Sequence, residues 1–316
     1  MFGLDCFAKK FPVDLVILWV DGSDPAFMNE RACWARKENC ENAASNHVAR
    51  FVQNDELRYV LRSVEKNLPW VRYVWLVTNG QQPTWLNVQH KKLKLISHTD
   101  FMPPNCLPTF NSCAITISLY KIKELAEHFL LANDDTFIWR PTPKQFFFPA
   151  ENQVNNFYKK ATWINHPEGI YRNMLLYSQR LMSRRFPKTP APLEPHHNIN
   201  GYLKSVCKDA WKLFARELKH TQHTRFRGPA HLNGWIFQAV SLVIGKGHWV
   251  EVKKARWGRK RISGTWELGQ NYEKYIQREN PRLVCLNDSE SSTEQDRKRL
   301  RNFLERAFPE KSSFEK

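Results

Sequence analysis

The fold is set by the stretch "VDLVILWVDGSDP", residues 13–25. Val, Leu and Ile crowd the segment from Asp14 to Val20, which marks a buried strand. Asp21, Gly22, Ser23, Asp24 and Pro25 then supply a polar turn. A buried strand that stops abruptly in turn residues invites a helix next, and the following segments provide it.

"NDELRYVLRSVEKNLPW", residues 54–70, reads as a helix with Asn54 as its N-cap. Leu57, Val60, Leu61, Val64 and Leu68 fall on one face, and Pro69 ends it. "VRYVWLVTNGQQP", residues 71–83, is a strand closed by a Gly/Pro turn, and "LKLISH", residues 93–98, is a short strand. Residues 112–128 carry Ile115, Leu119, Ile122 and Ala126 at helical spacing, and "FLLAN", residues 129–133, is the next strand. This alternation predicts an α/β fold with a mostly parallel sheet. Ligands of such sheets sit beyond the carboxyl ends of the strands. The polar groups Asp21 to Asp24, Thr78 to Gly80 and Asn133 to Asp135 are therefore expected on one edge.

Residues 1–140 form the expected α/β core, and 141–224 a basic, loop-rich and helical insertion or lid with eight prolines from Pro141 to Pro195. Residues 225–316 are expected to fold back on the core. Within these spans, residues 204–219 read as a basic helix and "HLNGWIFQAVSLVIGKG", residues 231–247, as a buried one. "RLVCLNDSE", residues 282–290, repeats the layout of strand then acid. Ser291 and Glu294 fit a capping box for a last helix striped by Leu300, Phe303, Leu304, Ala307 and Phe308.

The chain has 316 residues, 42% hydrophobic and 13% aromatic, enough for a sizeable core. No apolar run approaches the ~18 residues that span a bilayer. The start "MFGLDCFAKK" lacks the layout of a signal peptide. Seven scattered cysteines without a CxxC pair suit reduced thiols. These features together point to the cytoplasm. The net charge of +17 is concentrated between Lys159 and Arg261, where 21 Lys and Arg face five Asp and Glu. Such a stretch is either a solvated face or a surface for anionic partners, such as phosphorylated substrate, acidic polymer or anionic lipid. The aromatics form no recognisable RNA- or DNA-binding module, so no nucleic acid is expected. The absence of Walker, GxGxxG, HExxH and GxSxG patterns argues against the enzymes those motifs mark.

Asp134 and Asp135 are the sharpest chemical signal. Adjacent carboxylates repel unless a proton or cation lies between them, and Mg²⁺ or Mn²⁺ is the economical cation. Taken alone, the pair is also an ordinary strand-terminating turn. Arg225 and Arg227 flank Phe226 and would share a face of an extended segment, as phosphate ligands or as surface arginines. His196 and His197, with His166 and His231 behind them, are candidate proton acceptors or plain loop histidines. Trp19 would stack on a base or pack in the core.

As a set, these stretches resemble the Stealth family of sugar-phosphate transferases. "DLVILWVDGSDP" is similar to its first region. "RFVQNDELRYVLRSVEKNLPWVRYVWLVTNGQQPTWL", "LPTFNSCAI" and "FLLANDD" are similar to its second. "TRFRGPAHLN" is similar to the third, and "CLNDSE" with "FLERAFPEKSSFE" to the fourth. The resemblance spans residues 14 to 315 and implies a glycosyltransferase-A-like core. It also implies transfer of a sugar 1-phosphate, expected to be an N-acetylhexosamine 1-phosphate, from a UDP-sugar such as UDP-GlcNAc. The acceptor would be a hydroxyl of a capsular or surface glycan, with UMP released. Activity would depend on Mg²⁺ or Mn²⁺, at the inner face of the membrane. The alternatives are a glycosyltransferase that releases UDP and an inactive glycan-binding relative.

Carried over by position, Asp134 and Asp135 become the expected metal and diphosphate site. Arg227 and Arg225 would hold donor phosphate. His197 would be the base, because Lys204 then falls at the family's basic position; His196 is its rival. Asp21, Gly22 and Asp24 match the first-region turn, and Asn54, Glu56 and Arg58 the second region. Asn287 and Asp288 match the fourth-region pair. Trp19, Asn79 and Asn111 join the expected substrate contacts. The chain departs from the family's pattern at Thr116, where the family has Glu, and at Tyr120 and Lys121, where it has His-Arg. Ala230 and His231 stand where it has acids.

Overall fold

The computed structural model describes residues 11–41, 43–160, 169–188, 193–252 and 261–316. The N-terminal ten residues, with Cys6, lie outside them, as do His166 and the basic run at 253–260. The chain begins with β1 (Val13–Leu18), α1 (Pro25–Lys37) and α2 (Glu56–Asn67). Next come β2 (Val74–Thr78), β3 (Leu93–Ser97), α3 (Ser112–Ser118), β4 (His128–Asn133) and β5 (Thr136–Ile138). The middle holds β6 (Val154–Lys160), α4 (Gly169–Arg185), β7 (Leu193–Pro195), β8 (Asn200–Leu203), α5 (Lys204–Leu213) and α6 (Ala215–Gln222). The last part holds α7 (Trp235–Val243), β9 (Gly247–Glu251), β10 (Ser263–Glu267), α8 (Tyr272–Glu279), β11 (Leu283–Asn287) and α9 (Glu294–Ala307).

The core sheet runs β3-β2-β1-β4-β8. Its first four strands are parallel, and β8 closes one edge antiparallel to β4. The expected α/β class and mostly parallel sheet are what the molecule has. From β1 the chain goes out to β2 and β3 on one side, then returns to β4 on the other. That reversal opens a crevice at the carboxyl ends of β1 and β4. Two smaller sheets, β10-β11-β5 and β7-β6-β9, flank the core.

One charge lies inside the core sheet. Asp14, fully buried on β1, accepts from Arg72 at 2.8 and 2.7 Å, from Trp75 Nε1 at 3.0 Å and from the Ala126 N–H at 2.9 Å. A buried carboxylate persists only when paired and fully hydrogen-bonded in this way. The C-terminus is tied down similarly. Arg62 of α2 donates to both oxygens of Glu315, at 2.8 and 2.9 Å, and to the Phe308 carbonyl at 2.7 Å.

Several element boundaries differ from the sequence expectation. Asn54 does not cap α2: its side chain is taken by Glu56, and Asp55 occupies the cap position with φ +62°. The helix expected over 112–128 ends at Ser118, followed by one 3₁₀ turn. Backbone groups beyond it find partners elsewhere, because Lys204 Nζ takes the carbonyls of Ile122, Lys123 and Leu125. The basic helix breaks at Phe214, which is buried between α5 and α6. The capping box of α9 is Thr293 with Asp296, two residues later than expected.

Candidate active site

A cavity of about 580 Å³ opens at the carboxyl ends of β1 and β4. β1 delivers Trp19 and Val20, the chain after β2 delivers Asn79, and β4 delivers Asn133, Asp134 and Asp135. The strand ends therefore converge because the strands are parallel and in register, with Leu18 opposite Asn133. Gln53 joins two of these ends. It accepts from Trp19 Nε1 at 2.9 Å and donates to Asp134 Oδ2 at 3.1 Å.

Asp135 is held from the other side by β11. Its carbonyl accepts the Leu286 N–H at 3.1 Å, and its Oδ2 lies 3.5 Å from Cys285 Sγ. Its Oδ1 is buried without a partner among the described residues. Burial, then the charge of Asp135, raises the Asp134 pKa to about 7, and burial raises Asp135 to about 6. Glu56, buried beneath them, is raised to about 8 by burial and by Asp134. Asn54 steadies Glu56 through its N–H and its Nδ2, at 2.6 and 2.7 Å. Three acids crowded at these pKa values are poised to exchange protons for a cation.

Arg227 enters from the loop before α7 and donates to Ser112 Oγ at 2.7 Å. Arg50 lines the same cavity, and after burial the Arg227 charge is the main influence lowering its pKa. His197 is open to the cavity's solvent yet deep in the protein, and burial followed by Arg227 lowers its pKa to about 4. It is neutral at pH 7 and able to accept a proton. His196 has a different position: 2% exposed, packed on Phe157 at 5.1 Å, with Nε2 on the Ile199 carbonyl at 3.1 Å.

Two donor sets for a cation coexist. Asp134 and Asp135 offer hard oxygens of the kind Mg²⁺ and Mn²⁺ take. Asp135, His197 and Cys285 bring one ligand atom each to within 4.8 Å of one another, a mixed O/N/S set that suits softer ions.

Of the residues singled out in the sequence, Trp19, Glu56, Asn79, Asp134, Asp135, His197, Arg227, Asn287 and Asp288 line the cavity, as do His196 and Thr116. The other described residues named there do not line it and have other partners. Asp21 accepts from Ser23, and its backbone pairs with Gln81. Asp24 caps α1, and a Cβ on Gly22 would lie 2.0 Å from the Phe51 carbonyl oxygen. Asn54 sits under Glu56, and Arg58 pairs with Glu315 at 3.6 Å. Asn111 caps α3 and bonds Thr224, while Arg225 stacks on Trp34 at 3.9 Å. His231 receives the Gly228 N–H at 2.9 Å, shaping the loop that carries Arg227. Tyr120 and Lys121 both pack on Trp211. Arg50, Gln53 and Cys285 lie inside stretches that carry the resemblance, and Trp235 and Gln238 inside the expected buried helix, yet none was singled out in the sequence.

Three family models match. Stealth protein CR1, conserved region 1, covers residues 11–34, CR2, conserved region 2, residues 50–156, and CR4, conserved region 4, residues 274–316. The chain is 31% identical to the exopolysaccharide phosphotransferase cps2G of Lactiplantibacillus plantarum, over 97% of each chain. It is also 31% identical to the exopolysaccharide phosphotransferase SCO6023 of Streptomyces coelicolor, over 97% of this chain. It spans only about half, 53%, of that relative's length. Among solved structures, the galactosyltransferase LgtC, in complex with donor and acceptor sugar analogues, aligns over 95% of this chain and 98% of its own. That alignment has a TM-score of 0.44 and 10% identity. All three matched regions contribute to one cavity, the first through Trp19, the second through Glu56, Asp134 and Asp135, and the fourth through Asn287 and Asp288. The chain belongs to the Stealth family.

Proposed function

We propose that the chain transfers a sugar 1-phosphate from a UDP-sugar to a hydroxyl of a capsular or surface glycan, releasing UMP. The observation that carries this is the meeting of Asp134 and Asp135 with Arg227, Arg50 and a neutral His197 in one cavity. Relatives named exopolysaccharide and capsular polysaccharide phosphotransferases, at 30–31% identity, support the same class of reaction.

The acceptor hydroxyl oxygen attacks the phosphorus that bears the sugar. His197 takes the hydroxyl proton, the anhydride bond to the other phosphorus breaks, and UMP leaves with the electron pair. Charge builds on the equatorial oxygens, and Arg227 and Arg50 lie where cations can stabilise it. Asp134 and Asp135 would hold Mg²⁺ or Mn²⁺, and the unpartnered buried Oδ1 of Asp135 fits that role. When bound, the cation would neutralise diphosphate charge. The nucleoside is assigned to the end formed by Trp19 and Asn79, whose Oδ1 is also buried without a partner among the described residues.

The exposed basic residues of α4 to α6, among them Arg184, Arg185, Lys208 and Lys212, support an anionic partner. We assign to them the phosphodiester polymer or the inner membrane surface; no described helix is long and apolar enough to cross a membrane. The test is product identity: incubate with UDP-GlcNAc, Mg²⁺ and a panel of glycan acceptors, and separate nucleotides by anion exchange. Acceptor-dependent UMP is the expected product. UDP instead would make the chain a glycosyltransferase.

A further inference from the structure

The small sheet β10-β11-β5 carries a row of side chains that reaches the site at three points. Thr265 of β10 is the register partner of Cys285 of β11, and Cys285 is the partner of Thr136 of β5. Register partners on neighbouring strands point to the same face, with about 4.8 Å from strand to strand. The three side chains therefore form one line across one face of the sheet.

Each member of the line holds a different part of the site. Thr265 Oγ1 donates to the His197 carbonyl at 2.8 Å. Cys285 Sγ lies 3.5 Å from Asp135 Oδ2, and the next residue, Leu286, donates its N–H to the Asp135 carbonyl at 3.1 Å. Thr136 Oγ1 donates to the Asn133 carbonyl at 2.8 Å and accepts the Asn133 N–H at 3.2 Å, which closes the turn that carries Asp134 and Asp135. A ring nitrogen of His197 lies within 4.8 Å of an Asp135 oxygen. These two residues arrive on segments far apart in the chain. The spacing of β10 and β11 sets the distance between them, because Thr265 holds one and Cys285 faces the other.

β10 is itself firmly held. Trp266 and Gly264 face away from Thr265 on the strand. Trp266 is 6% exposed, and a Cβ on Gly264 would lie 2.0 Å from the Trp266 ring. The base segment is tied to β10 a second time, since Asn198 Nδ2 donates to the Gly264 carbonyl at 3.4 Å.

We propose that Thr265 is a positioning residue for the base: it holds the His197 backbone so that the imidazole stands at a fixed place beside Asp135. This role rests on the sugar-phosphate transfer proposed above. Thr265 touches no reacting atom and acts through His197. A base must lie within hydrogen-bond reach of the proton it takes, and a displacement of about 1 Å can cost about a hundredfold in rate.

The experiment measures acceptor-dependent UMP release by Thr265→Val, which keeps the branched shape and removes the donor. Its kcat should fall about tenfold or more with the donor KM unchanged, because the base contributes only as the proton is transferred. Thr265→Ser restores the hydroxyl and should return kcat to near the wild-type value. On a His197→Ala background, Thr265→Val should cost nothing further, since the two residues act as one unit. A wild-type kcat in Thr265→Val overturns the role. So does a loss that serine does not rescue, or an equal loss with and without His197. If the wild-type chain releases no acceptor-dependent UMP, the transfer reading fails, and crystal structures of the wild-type chain and Thr265→Val then decide the positioning role. The His197 ring is expected to shift relative to Asp135 in the variant, and a ring in the same place in both overturns it.

Discussion

The Cys285 thiol lies 3.5 Å from the Asp135 carboxylate, and His197 completes a set of ligand atoms within 4.8 Å. Burial and the Asp135 charge hold the thiol pKa well above its usual value, so it stays protonated until a soft metal displaces the proton. Zn²⁺ should therefore inhibit rather than activate, because it would capture His197 and deny it the acceptor's proton. Micromolar Zn²⁺ added to a Mg²⁺ assay should abolish turnover, with Cys285→Ser raising the inhibitory concentration about tenfold or more, the scale of losing a ligand contact. The Co²⁺ form should show a thiolate charge-transfer band that the variant lacks. No band in the wild-type chain would remove Cys285 from the set.

The raised acids and lowered histidines pull stability in opposite directions with pH. Glu56 at about 8 and Asp134 at about 7 stay protonated in the fold after the unfolded chain has lost those protons. The folded state then binds more protons, so these acids lower stability as pH rises from about 4.5 to 8, and above about 6.5, where the unfolded chain's histidines are already neutral, theirs is the slope that shows. His98, His196, His197 and His231, lowered to between about 3 and 4, remain neutral in the fold where the unfolded chain's histidines are charged. They make stability fall again as pH drops from about 6.5 toward 4. A melting temperature highest near pH 6.5 is expected, with the Mg²⁺ increment largest at pH 8, where protons compete least. A Mg²⁺ increment that grows toward pH 5.5 would contradict the cation site.

Asp135→Asn and Arg227→Ala should each lower kcat by about a hundredfold or more, the usual effect of losing a charge that stabilises the transition state. Neither should cost much stability, since Asp135 and Arg227 make few strong bonds in the resting protein. Thermal melts beside steady-state rates give both quantities. Near-wild-type rates in either variant would disprove the site.

His197→Ala should cost about 10²- to 10⁴-fold in kcat, the range for a general base. His196→Ala should instead lower the melting temperature, because that ring packs on Phe157 and bonds the Ile199 carbonyl. The opposite pattern would exchange their roles.

Residue order alone was enough for the α/β class, the buried β1, and the acids at the end of β4. Their signals are local: apolar runs of strand length, turn residues, and adjacent carboxylates. Residue order also singled out Arg227 and His197, though without separating either from its neighbour. That separation is tertiary. Arg225 stacks on Trp34 while Arg227 turns into the cavity, and His196 is buried while His197 is open. The turn at Asp21 to Asp24 looked like ligand chemistry, and in the fold Asp21 accepts from Ser23 while Asp24 caps α1, each through one carboxylate oxygen. The same competition decided where helices stop, since Lys204 draws off the carbonyls that would have extended α3. Only packing could reveal Cys285 beside Asp135, or an Asp135 Oδ1 that is buried without a partner among the described residues. Such contacts join residues far apart in the chain, and no local pattern of residue types encodes which polar atom is left without a partner.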